Sequence, residues 1–141
     1  QTFTPNHYSI AAARNQDFKQ FYDQEVQSRS ALKYPPFAKM IQLKISCRNE
    51  QQGDKAVRQL GDACRYLCSQ YQHYLAALDI LGPVVAPLAK IGQWYRWQII
   101  IKGAQFAALH QFVRQLATSY PSLFRNRQVK VDIDVDPYTM M

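Results

Sequence analysis

A stretch with two apolar runs and a glycine-bearing break between them has little choice but to double back, and residues 81–102 are such a stretch. The break is Lys90-Ile-Gly-Gln93, where Gly92 can take the positive φ of a tight reversal. The stretch therefore reads as a β-hairpin with arms 79–89 and 93–102. Side chains alternate along a strand. Tyr95, Trp97, Ile99 and Ile101 thus share one face of the second arm, and Arg96, Gln98 and Lys102 share the other. The first face is expected to be core. The second is expected to present cationic and hydrogen-bonding groups to water, with Trp94 at the hairpin mouth. Pro83 and Pro87 lack the amide that a ladder needs, which places the first arm at a sheet edge.

Periodicity extends the reading. Ile41, Leu43, Ile45 and Cys47 alternate with Met40, Gln42, Lys44 and Ser46, a strand over 39–47. After a polar turn, a helix reaching about Tyr71 carries Ala56, Val57, Leu60, Cys64, Leu67, Cys68 and Tyr71 on one stripe. A helix over 105–119 turns Phe106, Leu109, Val113 and Leu116 inward, and Pro121 marks its exit. Val129, Val131, Ile133 and Val135 form a last strand. From Tyr34 onward the order is βαββαβ, an α+β split (ferredoxin-like) sandwich. Its four-stranded, mainly antiparallel sheet has two helices on one face. Tyr34-Pro-Pro-Phe37 bounds this domain (34–141), because the residue before a proline is driven out of the helical region. Before it lies a helical extension (1–33). It comprises a strand end over 1–4, a short helix over 7–13 capped by Asn6, and a second helix started by Asn15 or Asp17.

Charge narrows the function. Lys plus Arg number 17 against 10 Asp plus Glu, a net +7. Residues 38–128 hold twelve of the cations against Glu50, Asp54, Asp62 and Asp79, whereas Asp132, Asp134 and Asp136 follow. A basic middle suits a polyanion, nucleic acid above all; solubility charge is the other reading. Three cysteines, without disulfide-like spacing, fit a reducing cytoplasm. The apolar runs are too short to cross a bilayer, so no membrane partner is expected. The abrupt β-type start at Gln1 points to a piece of a longer protein.

No GxxxxGKS/T, GxGxxG or HExxH occurs, and His7, His73 and His110 have no triad arrangement around them. Cys64 and Cys68 sit four apart, with His73 nearby and Cys47 on the first strand. Both fall on the apolar stripe, so they read as small buried hydrophobes rather than zinc ligands. Asp132, Asp134 and Asp136 read as a solvated face answering Lys44, since Ile133 and Val135 interrupt any calcium-loop pattern. No metal site is assigned. The remaining set is Lys90, Trp94, Arg96, Gln98 and Lys102, joined by Lys44 from the adjoining strand. These are the expected DNA-binding residues: cations neutralise phosphates, and an exposed aromatic stacks on unpaired bases.

Four ordered patches carry a family resemblance. They are Gln1-Thr-Phe-Thr-Pro-Asn-His7; residues 25–37, with Arg29 ahead of Tyr34-Pro-Pro-Phe37; Leu81-Gly-Pro83, Ala86-Pro87, Lys90 and Tyr95-Arg-Trp-Gln98; and Asp134-Val-Asp-Pro137. Together they span nearly the whole chain, which resembles the C-terminal end of the PriA-type replication-restart helicases (primosomal protein N′). The resemblance implies that 1–33 are the tail of the upstream helicase lobe and 34–141 a C-terminal domain. It implies an accessory DNA-binding and docking role within an ATP-dependent 3′ to 5′ DNA helicase. That helicase recognises stalled or branched forks and restarts replication by primosome assembly. ATP, Mg²⁺ and Zn²⁺ would belong to upstream parts of the parent, and the fragment would not be catalytic alone. Implied partners are forked or single-stranded DNA, single-strand binding protein, other primosome proteins and the upstream helicase domains in cis. Lys90, Arg96 and Gln98 match positions for DNA or domain docking, and Trp97 matches one for packing. Phe106 and His110 depart from the more polar groups that relatives carry. Two alternatives stay open. One is a protein-docking module that packs on the motor lobe or binds single-strand binding protein; the other is a free-standing RNA-binding α+β domain.

Overall fold

The hairpin forms around a two-residue turn: Ile91 of β2 (Leu78–Ile91) pairs with Trp94 of β3 (Trp94–Gly103), and Gly92 between them takes φ +58. This computed structural model describes residues 4–137. The remaining elements are α1 (Tyr8–Arg14), α2 (Phe18–Ala31), β1 (Lys39–Cys47), α3 (Glu50–Gln70), α4 (Gln72–Ala77), α5 (Phe106–Ser119), α6 (Pro121–Phe124) and β4 (Val129–Val135). The chain divides into two compact units between Phe37 and Ala38, whereas the sequence places the boundary at Tyr34.

In the first unit α1 packs on α2. His7, not Asn6, caps α1, because its Nδ1 accepts from the Ser9 amide. Asp17 caps α2 by accepting from the Gln20 amide at 2.9 Å. The Tyr8 hydroxyl donates to Glu25, and Arg29 Nε donates to the same carboxylate at 2.6 Å. Those two donors hold the Glu25 carboxyl below its ordinary pKa, Tyr8 contributing most. Arg29 also donates to the Pro35 carbonyl at 3.2 Å, tying the helix end to the Pro-Pro step. The expected strand end over 1–4 falls largely outside the described residues.

The second unit has the strand order β2-β3-β1-β4, with all three pairings antiparallel. With α3 and α5 on one face, this is the expected βαββαβ sandwich. β2 is an edge strand, as its prolines require. Its ladder is irregular: Gly82 and Pro83 of β2 pass one residue of β3, Ile99, and the four residues between Val85 and Lys90 pass one, Arg96.

Two short helices are additions. α4 exists because Tyr74 is fully buried, its ring edge-on to Phe112 at 5.1 Å and its hydroxyl donating to Gln115 at 2.8 Å. Pro121 follows the end of α5 as expected and also opens α6, where its missing amide costs nothing.

Ile41, Leu43, Ile45, Trp97, Ile99 and Ile101 meet Leu60 and Cys64 of α3 and Leu109, Phe112 and Leu116 of α5 in one core. Each such side chain contributes roughly 1.5–3 kcal/mol by leaving water. α3 approaches so closely that a Cβ on Gly53 would lie 2.2 Å from Trp97 Cη2. The three thiols are all buried, and desolvation pushes Cys64 up to about 12. Cys64 should therefore resist alkylation by iodoacetamide at pH 8 in the folded chain and react once urea unfolds it. Equal rates in the two states would contradict its burial.

Candidate nucleic-acid interface

Strand register decides which of the expected site residues meet. On the sheet face away from α3 and α5, one row runs Arg96–Ser46–Lys130 across β3, β1 and β4. Arg96 and Lys130 are then about 10 Å apart, two strand spacings. Just beyond the row, Trp94 and Arg48 stand at the same end of the sheet. The Arg48 guanidinium lies 5.1 Å and Lys130 Nζ 4.5 Å from the Trp94 ring centroid. Such cation–π contacts at exposed positions contribute about 0.5–1 kcal/mol each. They border a cleft of about 500 Å³ between the hairpin mouth, the start of α3 and the loop before β4. Arg127 and Gln128 enter from that loop, and Asn49 and Gln52 from the helix start. Asn49 also caps α3, accepting from the Gln52 amide at 3.0 Å. Arg48, Arg127 and Lys130 are exposed, and no carboxylate among the described residues pairs with any of them.

The expected set separates. Trp94 and Arg96, both half-buried, belong to this end of the sheet. Lys90 lies on the opposite face: it pairs with Tyr95, its Nζ 4.5 Å above that ring and donating to the hydroxyl at 3.3 Å. Lys44 donates to Asp134 at 2.6 Å, so its charge is answered within the sheet. This is the role read for the aspartates.

Gln98 and Lys102 correct the expectation of a wet face. They are only 8% and 7% exposed. Met40 and Ile100 share their face and are buried too, so its middle is a buried layer of mixed apolar and polar side chains rather than a hydrated one. Gln98 accepts at 2.6 Å from Gln42, which is 1% exposed. Burial without that partner would cost each amide about 1–3 kcal/mol. Trp97 is core at 6% exposed, as read.

Arg48, Lys130 and Arg127 stand outside the set expected from the sequence and join the site through the fold. The signal was present: a βαββαβ order puts β1 between β3 and β4, and the alternation phases then align 46, 96 and 130.

No three His, Cys, Asp or Glu side chains converge as metal ligands among the described residues. None of the helices is long and apolar enough to cross a membrane among those residues. The profile of the Primosomal protein N C-terminal domain family matches residues 30–138. The chain belongs to that family. It is 32% identical over 140 residues to a replication restart protein PriA of Synechocystis sp., covering 99% of this chain and 16% of the relative. It is 29% identical over 141 residues to that of Bacillus subtilis (100% and 17%). To that of Treponema pallidum it is 32% identical over 142 residues (100% and 20%). The chain thus spans a fifth or less of the length of these relatives. Among solved structures it is similar to a de novo designed protein with a ferredoxin fold. That match has a TM-score of 0.48 and 13% identity, covering 72% of this chain and 87% of the other.

Proposed function

We propose that this primosomal C-terminal domain is the accessory DNA-binding and docking part of a replication-restart protein. It works on forked or single-stranded DNA in the cytoplasm, beside an ATP-driven 3′ to 5′ helicase motor in the same polypeptide. The observation that carries the reading is the group of cations without a carboxylate partner, Arg48, Arg127 and Lys130, around Trp94, with Arg96 in the same row as Lys130. Four cations with no carboxylate between them favour a polyanion. Net charge that served solubility alone would be interspersed with acids, as Lys44 is with Asp134. ATP and Mg²⁺ would serve the motor, and Zn²⁺ an upstream module. Cys47, Cys64 and Cys68 do not fit zinc, since all three are shut in the core.

The chain should bind a labelled model fork at near-physiological salt. Log affinity should fall linearly with log salt, with a slope of roughly −3 for three or four phosphates. No binding, or a slope near zero, would count against the DNA reading.

A docking role has separate support. Val84, Val85, Leu88 and Ile91 along the β2 edge are all about half exposed, Val84 and Ile91 on one face of the sheet and Val85 on the other, an apolar margin suited to a neighbouring domain or a primosome protein such as single-strand binding protein.

A further inference from the structure

We infer that the cleft at the hairpin mouth is a subsite for one unpaired nucleotide of single-stranded DNA, its base stacked on Trp94. This rests on the DNA-binding reading above and narrows it to a substrate form. Three observations converge. First, the volume of about 500 Å³ suits a nucleotide-sized group and is far too small for a duplex, whose bases offer no free ring face. Secondly, Trp94 is the aromatic of this cleft, and indole–base stacking is tolerant of sequence because every base has a π-face. Thirdly, the two cations over its ring are held there weakly, and both side chains are long and exposed. An arriving base can displace one of them from the ring onto its own phosphate. The cations thus occupy the ring until a strand arrives and then contact the backbone. Arg127 extends the cationic wall, while the Asn49, Gln52 and Gln128 amides supply hydrogen bonds to a base edge without imposing one base.

The design differs from a duplex-binding surface in what each group contributes. Stacking should set affinity without salt dependence, and the cations should set the salt dependence. The test uses the whole chain with a short thymidine oligonucleotide and a blunt duplex of equal length. The single strand should bind about tenfold tighter or more than the duplex. The chain has two tryptophans, and Trp97 is shut in the core, so strand binding should quench Trp94 emission alone. Trp94→Phe should keep most of the affinity but lose the quench. Trp94→Ala should weaken single-strand binding roughly 5- to 100-fold with the salt slope unchanged. Arg127→Glu with Lys130→Glu should instead flatten the slope by about 0.7 per lost contact. A duplex bound as well as the single strand, with emission unaltered, would overturn the subsite. So would a Trp94→Ala chain that binds like the parent; in both cases the broader DNA-binding reading survives. A parent chain that binds neither ligand would overturn both.

Discussion

Alanine at Gly53 should lower the stability of the sheet unit by about 2 kcal/mol, although alanine is the better helix former by about 1 kcal/mol. The new methyl would sit 2.2 Å from Trp97 Cη2, 2.4 Å from Cζ3 and 3.0 Å from the Cys47 Cβ. The first two atoms are the far rim of an indole that is 6% exposed, so the ring has no open side to swing into. Overpacking of this kind typically costs 1–3 kcal/mol, and here the approach is closer than real Cβ contacts allow. Urea or thermal unfolding should register a fall of roughly 6–10 °C in Tm. Trp97→Phe removes the rim atoms that clash. The double change Gly53→Ala with Trp97→Phe should therefore recover part of the loss, a coupling of about 1 kcal/mol or more. A Gly53→Ala chain as stable as the parent would mean that α3 and β3 are not in the contact described.

Reversing charge on the second face of the sheet should have two unlike outcomes, depending on the row. Lys102→Glu places a carboxylate at a position only 7% exposed, beside buried Met40 and Ile100. The change trades an ammonium that faces Asp79 across the ladder for a carboxylate that is repelled there, with little water to screen the pair, a cost of several kcal/mol and enough to threaten folding. Arg96→Glu with Lys130→Glu acts where one side chain is half-buried and the other exposed. Stability should move by about 0.5 kcal/mol or less. Fork affinity at moderate salt should fall roughly 10- to 100-fold, with a shallower salt slope. Circular dichroism melts separate the two cases before any DNA is added. If Lys102→Glu folded normally while losing DNA binding, the buried middle of that face would be wrong.

Much of this architecture can be read locally. Period-two alternation fixes which side chains of β1, β3 and β4 share a face, because the pleat enforces it. Pro83 and Pro87 mark β2 as an edge for the same local reason. Whether the second face is wet is another matter. Alternation sorts Arg96, Gln98 and Lys102 together but says nothing about what lies over them. Ile100, in phase with the polar three, and Met40, opposite Lys102, were the available warnings. α4 has no local signature because one side chain, Tyr74, anchors it through a contact with Phe112, 38 positions further on. The cleft was partly legible for a similar reason. Trp94 stands out in the sequence, but Arg48 and Lys130 reach its ring only through pairings 46 and 36 positions away in the chain.

The staggered register of β2 has a consequence for how this molecule keeps company with copies of itself. An open strand rich in valine and leucine is ordinarily a template on which another chain can grow, amide against carbonyl. Here the extra residues and two prolines put successive backbone groups out of step, so no regular strand can lie flush along it. Whatever engages that margin must read its side chains by shape, which protects the folded chain from fibrous growth while leaving it free to be recognised.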